Sequence, residues 1–280
     1  MDKEDPGLFG PDSVAWRLHA DPTMLIAGLR ALLLQTLYPQ AIWGVTQNSD
    51  YRQDPWGRLT RTADYVATTV YGTRAEAERW GARVRGVHQR LSVHDHDSGT
   101  SSTIDEMSDA LLWVHCAEID SFVDAGLRIG LIDAEQADTY VDEQRSAAEL
   151  VGLDRETVPA STTELRDHID RVRPALRLTK EARDAASFIL LPTVTRWWKQ
   201  PLRPSWLPLS TLAFALLPRW ARRMYWMPGL PTTDLTATMG LRTFRRATLA
   251  IPPGLRDGPQ LKAARQRIHE TNAGTEAEAA

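Results

Sequence analysis

The chain has 280 residues, enough for one large domain or two small ones, and its 42% hydrophobic and 25% charged residues are ordinary for a globular protein. That excludes a disordered, collagen-like or multi-spanning chain. The 33 Lys and Arg against 36 Asp and Glu leave a net charge of −3, with no basic excess to neutralise a phosphate backbone, so nucleic acid is not an expected partner. A single cysteine, Cys116, excludes an internal disulfide and a thiolate zinc cage.

The N-terminal MDKEDPGLFGPDS is acidic and lacks the apolar stretch of a secretory signal. The most apolar later runs, 24–37 and 206–217, fall short of the roughly 20 residues that a bilayer demands. Together with the lone thiol, these features set the expectation of a cytoplasmic protein without a transmembrane span.

In chain order, Asp21-Pro22 reads as an N-cap followed by Pro at the first helical position, opening a core helix through Leu37. Residues 58–70 form a helix if the polar stripe Arg58, Thr62, Tyr65 and Thr69, spaced four, three and four, is taken as one face. Arg74–Leu91 carries Trp80, Val84, Val87 and Leu91 on an apolar stripe, and 108–125 aligns Leu112, Ile119 and Phe122. Further helices are expected at 134–150, 161–170, 179–190, 207–225 and 232–249. The absence of βαβ alternation makes the fold class all-α, a single multi-helix domain over 1–256, and the polar stretch 257–280 reads as a disordered tail. Trp197, Trp198, Trp206, Trp220 and Trp226 stand among Pro and Arg, with two readings open: a core or homodimer interface, or an arginine-rimmed surface in peripheral contact with a membrane.

Two histidines fall on apolar stripes. His88 follows Val84 and precedes Leu91, and His115 shares a face with Leu112, Ile119 and Phe122, so both imidazoles are expected to point inward. Arg58 and Arg61, one turn apart, could hold carboxylates bidentately, which suits an anionic cofactor. The loop HDHDSGT sets His94 and His96 two apart, a spacing found in some metal sites, and Glu118 with His115 makes an i, i+3 pair of the kind used by helical carboxylate metal proteins. His19, His168 and His269 lie in polar surroundings and carry no comparable argument. No P-loop, GxGxxG, GxSxG or HExxH occurs.

Taken together, LRALLLQTLYPQAIWGV (29–45), DPWGRLTRTADYVATTVYGT (54–73), VRGVHQRL (84–91), LLWVHCAEIDSF (111–122) and a Trp- and Pro-rich C-terminal part ending near Pro252 resemble the MpaB-like and rubber-oxygenase (latex-clearing protein) family. The resemblance implies an all-helical domain that binds haem b and oxidises a hydrophobic small molecule, such as an isoprenoid or polyketide-like chain, with O2. His88 would be the proximal iron ligand. Arg58, Arg61, Thr62 and Tyr65 would lie against the haem, Arg61 and Thr62 with a catalytic part. His115, in the WVH motif, would be a pocket residue, either a second ligand or a hydrogen-bonding partner. Where relatives carry a Lys able to sit over the iron this chain has Arg61, which hydrogen-bonds rather than ligating. A non-enzymatic module binding haem or lipid is the alternative.

Overall fold

The protein is described here by a computed structural model covering residues 5–49, 52–191 and 203–278. The helices among them are α1 (Val14–His19), α2 (Met24–Gln35), α3 (Pro39–Asn48), α4 (Pro55–Tyr71), α5 (Arg74–His88), α6 (Ser108–Ile129), α7 (Ala134–Leu150), α8 (Thr162–Val172), α9 (Lys180–Leu190), α10 (Arg203–Ala215), α11 (Arg219–Met224), α12 (Thr233–Leu249), α13 (Pro253–Arg256) and α14 (Pro259–Glu278). A two-stranded antiparallel hairpin, β1 (Ser92–His94) and β2 (Ser101–Thr103), pairs Val93 with Ser102. The fold is all-α, as expected.

Local chemistry starts and stops these helices. Thr73 and Glu76 form a capping box at α5, Asp133 and Gln136 another at α7, and Gly130, at φ 69, ends α6 in the left-handed conformation that glycine adopts without a steric penalty. The core is built around α2 against α6. Ile26, Leu29, Leu33 and Leu34 of α2 and Trp113, Cys116, Ala117 and Ile119 of α6 are all buried in one cluster. Arg30 crosses that core at 3% exposure and is fully engaged. It donates to the Leu216 carbonyl at 3.0 Å and to Ser121 Oγ at 2.6 Å, and pairs with Asp120 at 2.9 Å. Around this pair stand α10 on α2, α12 on α6 and α10, and the α4–α5 hairpin, which reaches α7 and α14.

Several expectations are corrected. Asp21 does not cap α2: its carboxylate accepts from Thr23 N and Thr23 Oγ1 and pairs with Arg245, and the helix begins at Met24. The run 207–225 is two helices, because Pro218 sits in extended backbone (ψ 148) between α10 and α11. The apolar stripe on α5 is not its buried face. Val87 is exposed, and the helix buries Ala77 and Gly81 instead, because it approaches α7 so closely that a Cβ at Gly81 would lie 2.7 Å from the Leu150 carbonyl oxygen. The stretch from 257 is not a disordered tail over its described part: α14 lies against α4 and buries Leu261 and Ala264. Trp197 and Trp198 lie outside the described residues, Trp206 is buried and Trp226 is exposed. Among the described residues no single helix is long and apolar enough to cross a membrane.

Candidate active site

Asp54 caps α4 by accepting from Gly57 N–H, and Pro55 supplies the first-turn residue that needs no donor. From that start the helix carries Arg58, Thr62, Tyr65 and Thr69 on one face, the stripe read from the sequence. Arg58 and Thr62 line a cavity of about 170 Å³ with Leu32, Ile42, Val45 and Val114. The Arg58 guanidinium donates to Ser49 Oγ at 2.8 Å and has no carboxylate partner among the described residues. Burial, and then the charge of Arg61, push its pKa down. Arg61 itself turns away from this wall. It is 65% exposed, bridges to Asp54 at 3.5 Å and does not line the cavity, so it does not join Arg58 as expected.

His88 ends α5 on the line continuing Ala77 and Gly81. Its Nδ1 is buried and unbonded, and neither ring nitrogen has a hydrogen-bond partner among the described residues. The partner expected to fix its tautomer is therefore not found among the described residues. Burial lowers its pKa, a shift that Asp105 partly opposes, so the ring is held neutral. The same region ties the two helix ends together. The His88 carbonyl accepts from Ile104 N–H at 3.2 Å, Ile104 reaches to 3.9 Å from a Cβ built on Gly44 of α3, and α3 runs into Ser49, which Arg58 holds.

α6 presents His115, Glu118 and Phe122 at i, i+3 and i+7. The His115 imidazole and the Glu118 carboxyl have no hydrogen-bond partner among the described residues, and neither side chain is fully covered by protein. Burial nonetheless lowers His115 to about 4 and raises Glu118 to about 7. Tyr65 is pushed up to about 12 and Tyr140 is also raised, both chiefly by burial, and both feel the Glu118 carboxylate. Tyr140 Oη lies 2.9 Å from His19 Nε2, and the His19 ring packs at 4.7 Å against Phe122. An interior polar file thus runs Tyr65, Glu118, Tyr140, His19 across α4, α6, α7 and α1.

Sequence reasoning missed two of these four. His19 is expected in polar surroundings, yet it is half-buried against Tyr140 and Phe122, and desolvation lowers its pKa to about 4. The available signal was Tyr140 within the α7 stripe Ala137, Val141, Gln144 and Ala148, all buried. His94 and His96 stand on the β1 edge, His94 Nδ1 3.2 Å from Ser101 Oγ, with rings 5.4 Å apart. No group of three metal-binding side chains forms among the described residues, either there or at the Glu118–His115 pair.

The donor set suits a haem in its chemistry: neutral unbonded imidazoles, a half-buried guanidinium lacking a carboxylate, and apolar walls. Of these groups Arg58 and Thr62 line the cavity of about 170 Å³ while His88 and His115 do not, and that volume is below the roughly 300–1,000 Å³ of common ligand pockets, so a porphyrin would have to part the wall side chains. No curated protein and no solved structure is matched by this chain. The family model described as "ER-bound oxygenase mpaB/B'/Rubber oxygenase, catalytic domain" matches residues 16–251, which takes in every helix discussed above except α1, of which it covers the larger part, and α13 and α14. The chain therefore belongs to the mpaB/rubber oxygenase catalytic-domain family.

Proposed function

We propose that this protein is a haem-b-dependent oxygenase acting on a hydrophobic small molecule. The observation that carries the reading is the half-buried His88 imidazole, its buried Nδ1 unbonded among the described residues, on a helix end that shares the α3 wall with the Arg58 guanidinium, which has no carboxylate partner there. When bound, haem b supplies an iron centre able to activate dioxygen.

The residues divide the remaining tasks. His88 would hold the iron of the group, since metal binding needs a neutral imidazole and no proton has to be displaced at neutral pH. Arg58 would pair with a propionate, trading its bond to Ser49 for a charge-assisted one. The apolar residues around Thr62, among them Leu32, Ile42, Val45 and Val114, would hold a greasy chain and exclude water. Glu118, poised near 7, is the group that can hold or release a proton at its carboxyl oxygens, with the Tyr65 and Tyr140 hydroxyls within its electrostatic reach. His115, neutral on the same face as Glu118, serves as a hydrogen-bonding partner in the pocket.

The test is an absorption spectrum of the protein supplied with haem, then after dithionite and after air. A Soret band that is lost in His88→Ala and kept in His94→Ala is expected. A band unchanged by His88→Ala, or none at all with haem supplied, overturns the reading. Two histidine axial ligands and a reduced form inert to air would instead support the non-enzymatic haem module. Arg58→Ala is expected to weaken haem retention by about 1–3 kcal/mol through the lost pairing.

A further inference from the structure

We infer that the face built by residues 219–251 docks on the surface of an anionic lipid bilayer. The reasoning is independent of the haem reading.

The segment between α11 and α12 runs Trp226 to Leu230 in the open. Trp226 is 83% exposed and Leu230 74%, with Met227 beside them. On α12, Leu235, Met239, Arg242, Arg246 and Leu249 recur at four, three, four and three residues, and all five side chains are exposed. The helix therefore turns inward on Ala237 and Leu241 and outward on a stripe that is apolar at both ends with two guanidinium groups between.

This exposure is built in. Trp226 holds φ 60, a conformation rare for a bulky side chain, with its N–H on the Arg223 carbonyl at 3.0 Å and the Met227 N–H on the Arg222 carbonyl at 3.0 Å. Arg222, buried beneath, fixes the loop. It donates to the carbonyls of Ala215, Leu217 and Pro228 and pairs with Asp234 at 2.9 Å. A fully bonded buried arginine thus presents a tryptophan and a leucine to the outside.

Charge selects the occupant. Within 219–251, Arg222 is buried on Asp234 and Arg245 pairs with Asp21, while Arg219, Arg223, Arg242 and Arg246 are exposed, so four cations gather on this face in a chain whose net charge is −3. Two copies meeting across a two-fold axis through the stripe would set Arg242 and Arg246 against themselves, whereas lipid phosphates and carboxylates accept guanidinium groups while Trp and Leu enter the headgroup boundary. Tyr225, next to Trp226, bonds through its hydroxyl to Thr36 Oγ1 at 2.6 Å, and Thr36 lines the apolar cavity. The docking face therefore adjoins the cavity wall.

The experiment is co-sedimentation of the full chain with phosphatidylcholine vesicles, with and without phosphatidylserine, at low and high salt, alongside sedimentation velocity of the protein alone. Binding to the serine-containing vesicles, weakened by salt, is expected. Leu230→Glu is expected to abolish it, and Arg242→Gln with Arg246→Gln to lower affinity about tenfold or more. Circular dichroism melts of these surface variants should match the parent, and the salt and lipid dependence of the parent tests the idea without any variant. Equal binding to vesicles lacking anionic lipid, or no binding to either, overturns it. Self-association lost in Leu230→Glu in the absence of vesicle binding would assign the face to a second copy.

Discussion

Arg30 and His88 are both polar side chains set among apolar helices, yet the protein treats them oppositely. At the α2–α6 seam Arg30 has a carbonyl, a hydroxyl and a carboxylate within 3.0 Å. At the far end of the α4–α5 hairpin the His88 Nδ1 has no hydrogen-bond partner among the described residues. A buried polar group that is paired holds the fold together, and one left unpaired costs stability that only a ligand can return. On the proposed reading, the second region is where a bound ligand would return that stability.

The largest effect should come from the satisfied region. Arg30→Met leaves Asp120 without its charge partner and the Leu216 carbonyl and Ser121 hydroxyl without this donor, so urea denaturation should show a loss of about 3–5 kcal/mol. A loss below about 1 kcal/mol would mean the seam does not depend on this network, and the contrast with the hairpin would fail.

Next comes pH. His19 and His115 have native pKa values of about 4, below the 6.5 of the free side chain, so the unfolded chain binds more protons and stability falls as pH drops from 6.5 towards 4. Glu118, raised from 4.5 to about 7, acts in the reverse sense: its contribution is present at low pH and lost as pH rises from 4.5 through 7. Stability of the ligand-free protein should therefore peak near pH 6.5 and fall on the acid side by a few kcal/mol. Glu118→Gln should remove the alkaline decline and steepen the acid limb between about 4.5 and 6.5, where this carboxyl opposes the two histidines. An unchanged alkaline limb in Glu118→Gln would show that this carboxyl is not held neutral by its surroundings.

How the two regions were encoded differs too. The seam was legible because Leu112, Ile119 and Phe122 repeat at helical spacing and α2 is apolar nearly all round. The stripe Arg58, Thr62, Tyr65 was legible for the same reason in reverse, as polar residues where Glu and Lys would be usual. The buried face of α5 was not, since Ala77 and Gly81 carry no hydrophobic signal and what puts them inside is the approach of Leu150 from sixty-nine residues downstream of Gly81. α1 is only 6 residues long, too short for periodicity to show, so His19 looked like a surface residue. α14 has almost no one-sided apolar pattern, which reads as a tail: among its described side chains Leu261 and Ala264 are buried and Ile268 packs against the core. Arg61 was misplaced because a turn-spaced pair looked like a clamp, while its own N-cap aspartate was the nearer anion.

A smaller effect tests the unpaired site itself. His88→Leu removes the orphaned nitrogen at similar volume, so the ligand-free protein should be unchanged or up to about 1 kcal/mol more stable while haem uptake is lost. A paired histidine would respond in the opposite way, with stability falling on replacement. Losing more than about 1 kcal/mol in His88→Leu would place the ring among the structural histidines.

The smallest expected change lies one turn beyond Tyr140. Gln144 is buried on the same face of α7, and its Nε2 has no partner among the described residues. Methionine matches glutamine in length and flexibility while carrying no donor, so Gln144→Met removes an unmet hydrogen bond with little change in packing. A gain of about 0.5–1 kcal/mol in ligand-free stability is expected from thermal or urea melts. If that gain disappears once haem is bound, the amide faces the ligand space and takes a partner there. If it persists, the orphan is a feature of α7 alone, and the unpaired region shrinks to the end of the hairpin that carries His88.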